Sequence, residues 1–408
     1  MVLRGLAAVG LLLLFAAPAR AATPPELLVN WDRHLSPQVE KRLAERGGGQ
    51  VFRRMGEERV ALIRARAGVT QHQLAARLSR LSEVATVEPN RIQRIDEKPD
   101  DPSFGGQYAF GSGPGSIDIQ RVWDHDRTCT KVAIVDSGAE FDHPDLKKNI
   151  WVNSDEKANN GKDDDHDGAV DDYYGADTID LLGNADDRQG HGTHVSGIIG
   201  ARGNNDRGVT GVCWSVQMIE GGMMRSDGTG TTDAAILAIN SAVHAGAKVI
   251  NCSWGGGRTE ALDRAIAYAG EKKVLIVAAA GNSHDNVDKT GATFPEDAPN
   301  VLMVAASDDK GKLWSGSSYG KKTVDIAAPG VNILSTYRGD QYGYMTGTSM
   351  ATPMVAGVAA LLRHEFPDAT AQQVRAAILH HPHKISSMKD KVASGGMLDA
   401  YEAWKALR

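Results

Sequence analysis

A serine at the start of a predicted helix is the first residue whose setting could support chemistry. Residues 347–353 read Gly-Thr-Ser-Met-Ala-Thr-Pro, and apolar residues recur at helical spacing through residues 355–362. The first N–H groups of a helix lack intrahelical partners and carry positive potential, so negative charge developing near Ser349 would be stabilised there. Taken alone, Ser349 is typical of an ordinary helix cap.

A histidine and an aspartate supply what such a serine would need. Residues 190–197 read Gly-His-Gly-Thr-His-Val-Ser-Gly, so glycines flank His191 at the start of another predicted helix. Residues 132–138 are an apolar run ending in Asp-Ser-Gly, which places Asp136 at the carboxyl end of a buried parallel strand. A serine hydroxyl becomes a nucleophile when a base lies within hydrogen-bond reach and a third group orients that base. The set Asp136, His191 and Ser349 therefore predicts acyl transfer through an acyl-enzyme.

The elements that must position these residues indicate an α/β domain. From residue 131 onward, apolar β runs alternate with helical patterns, which predicts a mostly parallel, twisted sheet with helices on both faces. The predicted strands are residues 131–135, 216–219, 248–252, 274–279, 301–305 and 324–327. The predicted helices are residues 191–201, 233–245, 260–272, 349–364 and 371–379.

The three motifs and their order along the chain resemble the subtilisin-like serine proteases, or subtilase family, over about residues 115–380. The resemblance implies the fold of that family and a serine endopeptidase activity. It also implies that Asn282, after the apolar run at residues 274–280, forms an oxyanion hole with the backbone N–H of Ser349. Two further segments resemble the walls of the family's substrate cleft, and the one at residues 226–230 would pair with the substrate backbone, which gives affinity without strict sequence preference. Their residues are Gly228, Thr229, Gly230, Ser253, Trp254 and Gly255.

Two other classes of function stay open at this point. A catalytically inactive, calcium-dependent binding protein could use the same scaffold, although such relatives normally lack a member of the triad and none is missing here. A cysteine hydrolase or metallohydrolase would need a His–Cys pair or a His-Glu-x-x-His motif, and the sequence has neither.

The first 21 residues have the pattern of a secretory signal peptide. Arg4 supplies positive charge, residues 6–17 are apolar, and residues 19–21 read Ala-Arg-Ala as a cleavage site. The rest of the chain has no apolar stretch long enough to cross a bilayer. We expect an exported protein, extracellular or periplasmic, with no membrane anchor.

Residues 22–97 are predicted to be a separate α+β unit. Strand, helix, two strands, helix and strand follow one another, which is a ferredoxin-like order and resembles the inhibitory propeptide of subtilases. This segment carries 13 Lys/Arg and 10 Asp/Glu, net +3, whereas residues 98–408 carry 30 and 41, net −11. Opposite charge favours association. We expect a zymogen in which residues 22–97 inhibit the peptidase domain at residues 98–408 and are cleaved by the enzyme itself.

An acidic run suggests bound calcium. Asp163, Asp165 and Asp167 alternate before Gly168, as in the first half of a calcium loop. Tyr174 occupies the place of the last bidentate Glu of an EF-hand, so later ligands would have to come from Asp171 or Asp172, and similar insertions occur in calcium-binding subtilases. A second, weaker site could combine Asp145 with residues 204–206. The alternative is a solvated acidic loop. The predicted metal ligands are Asp163, Asp165, Asp167, Asp171, Asp172 and Asp145.

The three cysteines leave at least one thiol unpaired within the chain. The resemblance implies that Cys129 and Cys213 precede neighbouring strands at one end of the sheet, where they could form a disulfide, and the pairing stays open. Cys252 is expected to be a buried free thiol.

With 41% hydrophobic residues and a net charge of −6, the chain is typical of a globular protein. Its expected partners are polypeptide substrates and its own propeptide, not nucleic acid, and we expect a monomer.

Overall fold

The computed structural model describes residues 26–55, 59–90, 98–165, 169–181 and 183–408. The chain divides into two compact units between residues 95 and 96. The predicted signal peptide and the predicted boundary at residue 97 fall outside the described residues.

The first unit is a four-stranded antiparallel sheet with two helices. Its elements are β1 (Glu26–Trp31), α1 (Pro37–Gly47), β2 (Gly49–Met55), β3 (Val60–Ala65), α2 (Gln71–Leu78) and β4 (Val84–Pro89). The sheet order β2-β3-β1-β4 is the ferredoxin-like arrangement. Alternate side chains of β1 are buried against α2: Leu27, Val29 and Trp31 meet Leu74 and Leu78 in one core.

The second unit is built on a nine-stranded sheet, with a separate two-stranded hairpin beside it. Its strands are β5 (Val132–Asp136), β6 (Ala176–Asp177), β7 (Met218–Gly222), β8 (Val249–Cys252), β9 (Leu275–Ala279), β10 (Val301–Ser307), β11 (Ile326–Pro329), β12 (Ile333–Tyr337), β13 (Gln341–Met345), β14 (His383–Lys384) and β15 (Gly396–Met397). The large sheet runs β14-β15-β11-β10-β9-β8-β5-β7-β6, parallel except for the β14–β15 pair. Strands β12 and β13 form the hairpin.

Helices cover both faces of the large sheet. They are α3 (Gln120–Trp123), α4 (His191–Gly200), α5 (Thr232–His244), α6 (Glu260–Glu271), α7 (Val287–Thr290), α8 (Thr348–Glu365), α9 (Ala371–His380) and α10 (Ala400–Leu407). Side chains of β5 alternate between two cores: Val132 and Ile134 meet α4 and α8, whereas Ala133 and Val135 meet α5 and α6. This confirms the predicted α/β class with helices on both faces of a mostly parallel sheet.

The main differences from the sequence-based elements have a clear physical origin. The strand predicted at residues 216–219 is found at Met218–Gly222, because it continues through the buried residues Glu220, Gly221 and Gly222. A carboxylate and two glycines are not typical strand residues, so the predicted strand, which followed the apolar residues, ended before the observed one. The β12–β13 hairpin and the elements after residue 380 were not predicted, since they are short or polar.

A disulfide joins Cys129 to Cys213, with the two Cα atoms 5.6 Å apart. The pairing left open by the sequence is therefore present, and it links the segment before β5 to the segment before β7. Cys252 is buried and unbridged, as predicted. Within the described residues, no helix is both long and apolar enough to cross a membrane.

Candidate active site

At the carboxyl end of the central strand β5, a buried aspartate contacts a partly exposed histidine. Asp136 is fully buried, and its Oδ1 lies 2.7 Å from Nδ1 of His191 and accepts the backbone N–H of Ser137 at 2.8 Å. Burial lowers the pKa of His191. The charge and hydrogen bond of Asp136, followed by the charge of Asp187, outweigh burial and leave that pKa above its ordinary value. The arrangement fixes the tautomer in which Nδ1 holds the proton and Nε2 is free to act as a base.

Two glycines allow the base to sit at this position. Gly190 precedes α4 with φ 107°, a left-handed conformation that favours glycine. Gly192 lies so close to the carbonyl oxygen of Gly138 that a Cβ at that position would clash with it. The glycines around His191 therefore bring the first turn of α4 into contact with the turn that follows Asp136.

A second buried carboxylate, not predicted from the sequence, organises the same region. Asp187 is 2% exposed and accepts hydrogen bonds from the hydroxyl of Ser137 (2.9 Å) and from the backbone N–H groups of Gln189 and Gly190 (2.8 Å each). It also accepts the backbone N–H of Thr193 at 2.9 Å and the hydroxyl of Thr193 at 2.6 Å. Asp187 thus ties the turn after Asp136 to the start of α4. A carboxylate four residues before the histidine of a Gly-His-Gly motif was the only sequence signal for this role.

Ser349 occupies the first turn of α8, as predicted, and faces the segment that follows β8. Its hydroxyl donates to the carbonyl oxygen of Ser253 at 2.9 Å, and the Ser253 hydroxyl donates to the Ser349 carbonyl oxygen at 2.9 Å. In this conformation the Ser349 hydroxyl is bonded to Ser253 and not to the ring of His191. Such a nucleophile–base bond often forms only when substrate occupies the site.

Asn282 follows β9 and contacts the residue before the serine. Its Oδ1 accepts the backbone N–H and the hydroxyl of Thr348, both at 2.9 Å. Gly281, with φ 103°, makes the turn that brings Asn282 to the start of α8. Thr348 therefore connects Asn282, the predicted oxyanion residue, to Ser349, the predicted nucleophile.

All six residues predicted to bind substrate line one cleft of about 530 Å³ together with His191. One wall is the segment Gly228–Gly230 and the other is the segment Ser253–Gly255. The indole of Trp254 is held by a 2.9 Å bond from Nε1 to the carbonyl oxygen of Val135 and packs against Phe294, with ring centroids 5.0 Å apart. Two methionines of this cleft, Met223 and Met224, were missed because nothing in their local sequence marks a binding wall.

The acidic loop brings three carboxylates together, and the group differs from the predicted ligand set. Ligand oxygens of Glu156, Asp165 and Asp172 all lie within 4.8 Å of one another. Glu156 is 4% exposed, its Oε1 accepts the backbone N–H groups of Asp164 and Asp165, and its Oε2 is buried without a hydrogen-bond partner. Two predicted ligands, Asp165 and Asp172, are in this group. Glu156 was missed because it precedes the acidic run and reaches the site only when the loop folds back.

The other predicted ligands that the structure describes are not members of this group. Asp171 instead accepts the backbone N–H groups of Asn160 and Gly161, so its carboxylate shapes the loop. Asp145 accepts the side-chain N–H of Asn205 at 2.9 Å and the backbone N–H of Val209 at 3.1 Å. Asp163 is not a member of the three-carboxylate group, and Asp167 lies outside the described residues. Backbone N–H groups thus bind the carboxylates of Asp171 and Asp145, whereas Asp165 of the alternating set belongs to the three-carboxylate group.

Comparison with known proteins identifies the family of this chain. The profile of the Subtilase family matches residues 128–399. Thermitase of Thermoactinomyces vulgaris is 35% identical over 308 residues, covering 75% of this chain and 98% of thermitase. A thermophilic serine proteinase of Bacillus sp. strain AK1 is 36% identical, covering 74% of this chain and 68% of that protein.

Solved structures show the same relationship. A protease from Pseudoalteromonas arctica PAMC 21717 superposes with a TM-score of 0.63 at 28% identity, over 76% of this chain and all of that chain. A cold-adapted subtilisin-like serine proteinase gives a TM-score of 0.55 at 27% identity, over 67% of this chain and 90% of that chain. The chain therefore belongs to the subtilase family and is a serine endopeptidase.

Proposed function

We propose that this protein is an exported serine endopeptidase in which Ser349 is the nucleophile, His191 the general base and Asp136 the residue that orients the base. The observation that carries the proposal is the 2.7 Å contact between the buried Asp136 and the partly exposed His191 at the edge of a cleft. Ser253 connects the serine to that cleft, because it lines the cleft and exchanges hydrogen bonds with Ser349.

The proposed reaction begins when Ser349 Oγ turns from Ser253 towards His191 and attacks the scissile carbonyl carbon. Nε2 of His191 takes the hydroxyl proton, and Asp136 stabilises the imidazolium that forms. The amide N–H of Asn282 and the backbone N–H of Ser349 stabilise the tetrahedral oxyanion. His191 then gives its proton to the leaving amine, and the C–N bond breaks to leave an acyl-enzyme. Water releases the acid by the same proton transfers in reverse.

The cleft supports recognition of an extended peptide. Backbone groups of residues 228–230 on one wall and 253–255 on the other would pair with the substrate main chain. Main-chain pairing favours broad sequence tolerance, with side-chain preference set by the apolar surfaces of Met223, Met224 and Trp254.

Residues 22–97 are proposed to act as an inhibitory propeptide after removal of a signal peptide at residues 1–21. The support is the ferredoxin-like unit at residues 26–89 and the charge contrast of +3 against −11 for residues 98–408. A full chain carrying Ser349→Ala should then accumulate uncut, whereas wild type separates into two fragments. Normal processing of that variant would exclude self-cleavage.

Calcium is the proposed structural ion, and the observed group fits it. Glu156, Asp165 and Asp172 would hold the ion, since calcium prefers carboxylate oxygens and the buried Oε2 of Glu156 otherwise lacks a partner. The ion supplies positive charge that offsets repulsion among these carboxylates. No step of catalysis depends on it.

The test of the proposed catalytic roles is hydrolysis of a chromogenic peptide amide by purified protein from which an added protease has removed residues 22–97, because variants that cannot cleave themselves would otherwise keep the proposed inhibitor. We expect Asp136→Asn, His191→Ala and Ser349→Ala each to lower kcat by about 10⁴-fold or more, with little further loss when they are combined. Independent, additive effects of the three substitutions would contradict a triad that acts as a unit.

A further inference from the structure

The hairpin that leads to the nucleophile is separate from the large sheet. Among the described residues, strands β12 and β13 pair only with each other, and Tyr344 on β13 is 60% exposed. Three residues after β13 ends at Met345, helix α8 begins at Thr348, next to Ser349. A two-stranded hairpin is marginally stable by itself, so its position depends on contacts with other elements.

One buried histidine contacts both strands of this hairpin. His194 is 0% exposed, and its Nε2 lies 3.0 Å from the carbonyl oxygen of Ile333 on β12 and 3.1 Å from that of Gly343 on β13. With two carbonyl acceptors, Nε2 must carry the proton, which makes His194 the neutral Nε2–H tautomer. His194 lies one helical turn after His191 on α4. A single imidazole thus joins the helix of the base to the hairpin of the nucleophile.

Two hydroxyls of β12 form further hydrogen bonds between the hairpin and α4, here called the α4–hairpin junction. Ser335 donates to the carbonyl oxygen of His194 at 2.7 Å, and Thr336 donates to the carbonyl oxygen of Thr193 at 2.7 Å. Gly197 permits this approach, because a Cβ there would collide with the hydroxyls of Ser335 and Thr336. The first turn of α4 and strand β12 are therefore in direct contact through hydrogen bonds of both side chains and backbone.

The surroundings keep the imidazole in this form. Burial is the main reason why the pKa of His194 is lowered to about 4, and His191 on the same helix adds to the lowering. The contacts with the carbonyl oxygens of Gly343 and Ile333 only partly oppose it. Nδ1 of His194 is buried with no partner, so a second proton would place an unpaired N–H in the core. The hydrogen bonds of the neutral form therefore persist at any pH where His191 can act as a base.

We propose that His194 is a positioning residue of the reaction, which sets the distance between Ser349 and His191 by holding the β12–β13 hairpin against α4. The inference rests on the roles proposed above for Ser349 and His191. It predicts a defect in chemistry and not in substrate binding, because the cleft walls at residues 228–230 and 253–255 follow β7 and β8 and do not belong to the hairpin.

The test compares His194→Leu, which removes the N–H, with His194→Gln, whose amide N–H can reach the two carbonyl oxygens. His380→Leu, at an exposed position at the end of α9, is the control. For His194→Leu we expect kcat on a peptide amide and the rate of labelling by a fluorophosphonate to fall by about 10- to 100-fold, with KM within about twofold of wild type. His194→Gln should regain most of both rates, and the control should match wild type.

Three results would overturn the proposal: kcat of His194→Leu close to wild type, an increase in KM with kcat unchanged, or a defect in His194→Gln as large as that in His194→Leu. If His194→Leu fails to mature, the double variant Ser335→Ala, Thr336→Val removes the other hydrogen bonds of the junction and should show the same loss of kcat at constant KM. Wild-type protein that neither cleaves peptide nor reacts with the probe would instead reject the proposed catalytic roles, so the two failures are distinguishable.

Discussion

Thr348 orients the side-chain amide of Asn282. The Oδ1 of Asn282 accepts two hydrogen bonds from Thr348, one from the backbone N–H and one from the hydroxyl, both at 2.9 Å. With Oδ1 occupied, the NH2 group of the amide is left as the donor. An oxyanion on a substrate attacked by Ser349 would meet this donor, which no longer has to reorient when charge develops.

Replacing Asn282 should therefore affect the transition state more than substrate binding. We expect Asn282→Leu to lower kcat by about 10²- to 10³-fold with KM nearly unchanged. Thr348→Val, which removes one of the two bonds, should cost less. Steady-state kinetics on a peptide amide gives both values, with Asn240→Leu on the exposed side of α5 as the control. Equal effects on kcat and KM would argue against an oxyanion role.

Asp187 should influence the pH dependence of catalysis. Its negative charge contributes to the raised pKa of His191, so Asp187→Asn should lower that pKa and move the acidic limb of kcat/KM to lower pH. We also expect kcat to fall about tenfold, because an Asn side chain cannot accept all the N–H groups that now reach Asp187. The measurement is kcat/KM across pH, with the exposed neighbour Asp186→Asn as the control. An acidic limb that stays in place, or moves to higher pH, would contradict this.

Glu220 should reduce stability at neutral and alkaline pH. The residue is fully buried, its Oε1 accepts the Ser196 hydroxyl at 3.0 Å, and its Oε2 has no partner. Burial raises the pKa of Glu220 well above 4.5, with the charges of Asp136 and Asp187 adding to the effect. The neutral folded form therefore has its full stability below pH 4.5, and that stability is lost as pH rises towards the folded pKa, because only the unfolded chain ionises freely.

Glu220→Gln removes this dependence. We expect the free energy of unfolding of the variant to exceed that of wild type by an amount that grows with pH above 4.5, by up to about 1.4 kcal/mol per pH unit. Denaturant unfolding in the Ser349→Ala background, which prevents self-digestion, provides the measurement, and Glu271→Gln at an exposed position on α6 is the control. A difference that is constant with pH, or that favours wild type, would show that Glu220 is charged in the folded protein.

Removing calcium should lower the melting temperature through the group that contains Glu156. We expect excess chelator to reduce the melting temperature of the Ser349→Ala protein by about 5 °C or more. Glu156→Gln should lower it in calcium but not in chelator, since the substitution also removes repulsion with Asp165 and Asp172. Asp155→Asn removes the same charge from an exposed position in the same loop and is the control. Identical chelator sensitivity of wild type and Glu156→Gln would exclude this group as the site.

The residues of the proposed triad stand out in the sequence because each lies in a short, self-contained pattern. Glycines flank His191, an apolar strand ends at Asp136, and a helix begins next to Ser349. The residues that position them depend on contacts between distant segments, as when His194 meets Ile333 and Gly343. No local pattern marks such a contact, because the residues around a histidine in an apolar helix can be the same whether or not its side chain binds a hairpin.

The acidic loop also shows how far the sequence pattern can predict contacts. The acidic run gave a strong local pattern, yet its residue Asp171 binds backbone N–H groups of residues 160 and 161, and the buried carboxylate oxygen without a partner belongs to Glu156, which precedes the run. Residue type and spacing identified the loop but not which carboxylates face one another. That choice follows from how the loop folds back, and the sequence pattern does not contain it.

Reaction of the mature protein with a fluorophosphonate, followed by peptide mass mapping, tests the central claim most directly. We expect one adduct per molecule, on Ser349, with peptidase activity lost in proportion to labelling, and no adduct on Ser349→Ala. An adduct on another residue, or full activity after complete labelling of Ser349, would contradict the assignment of Ser349 as the nucleophile.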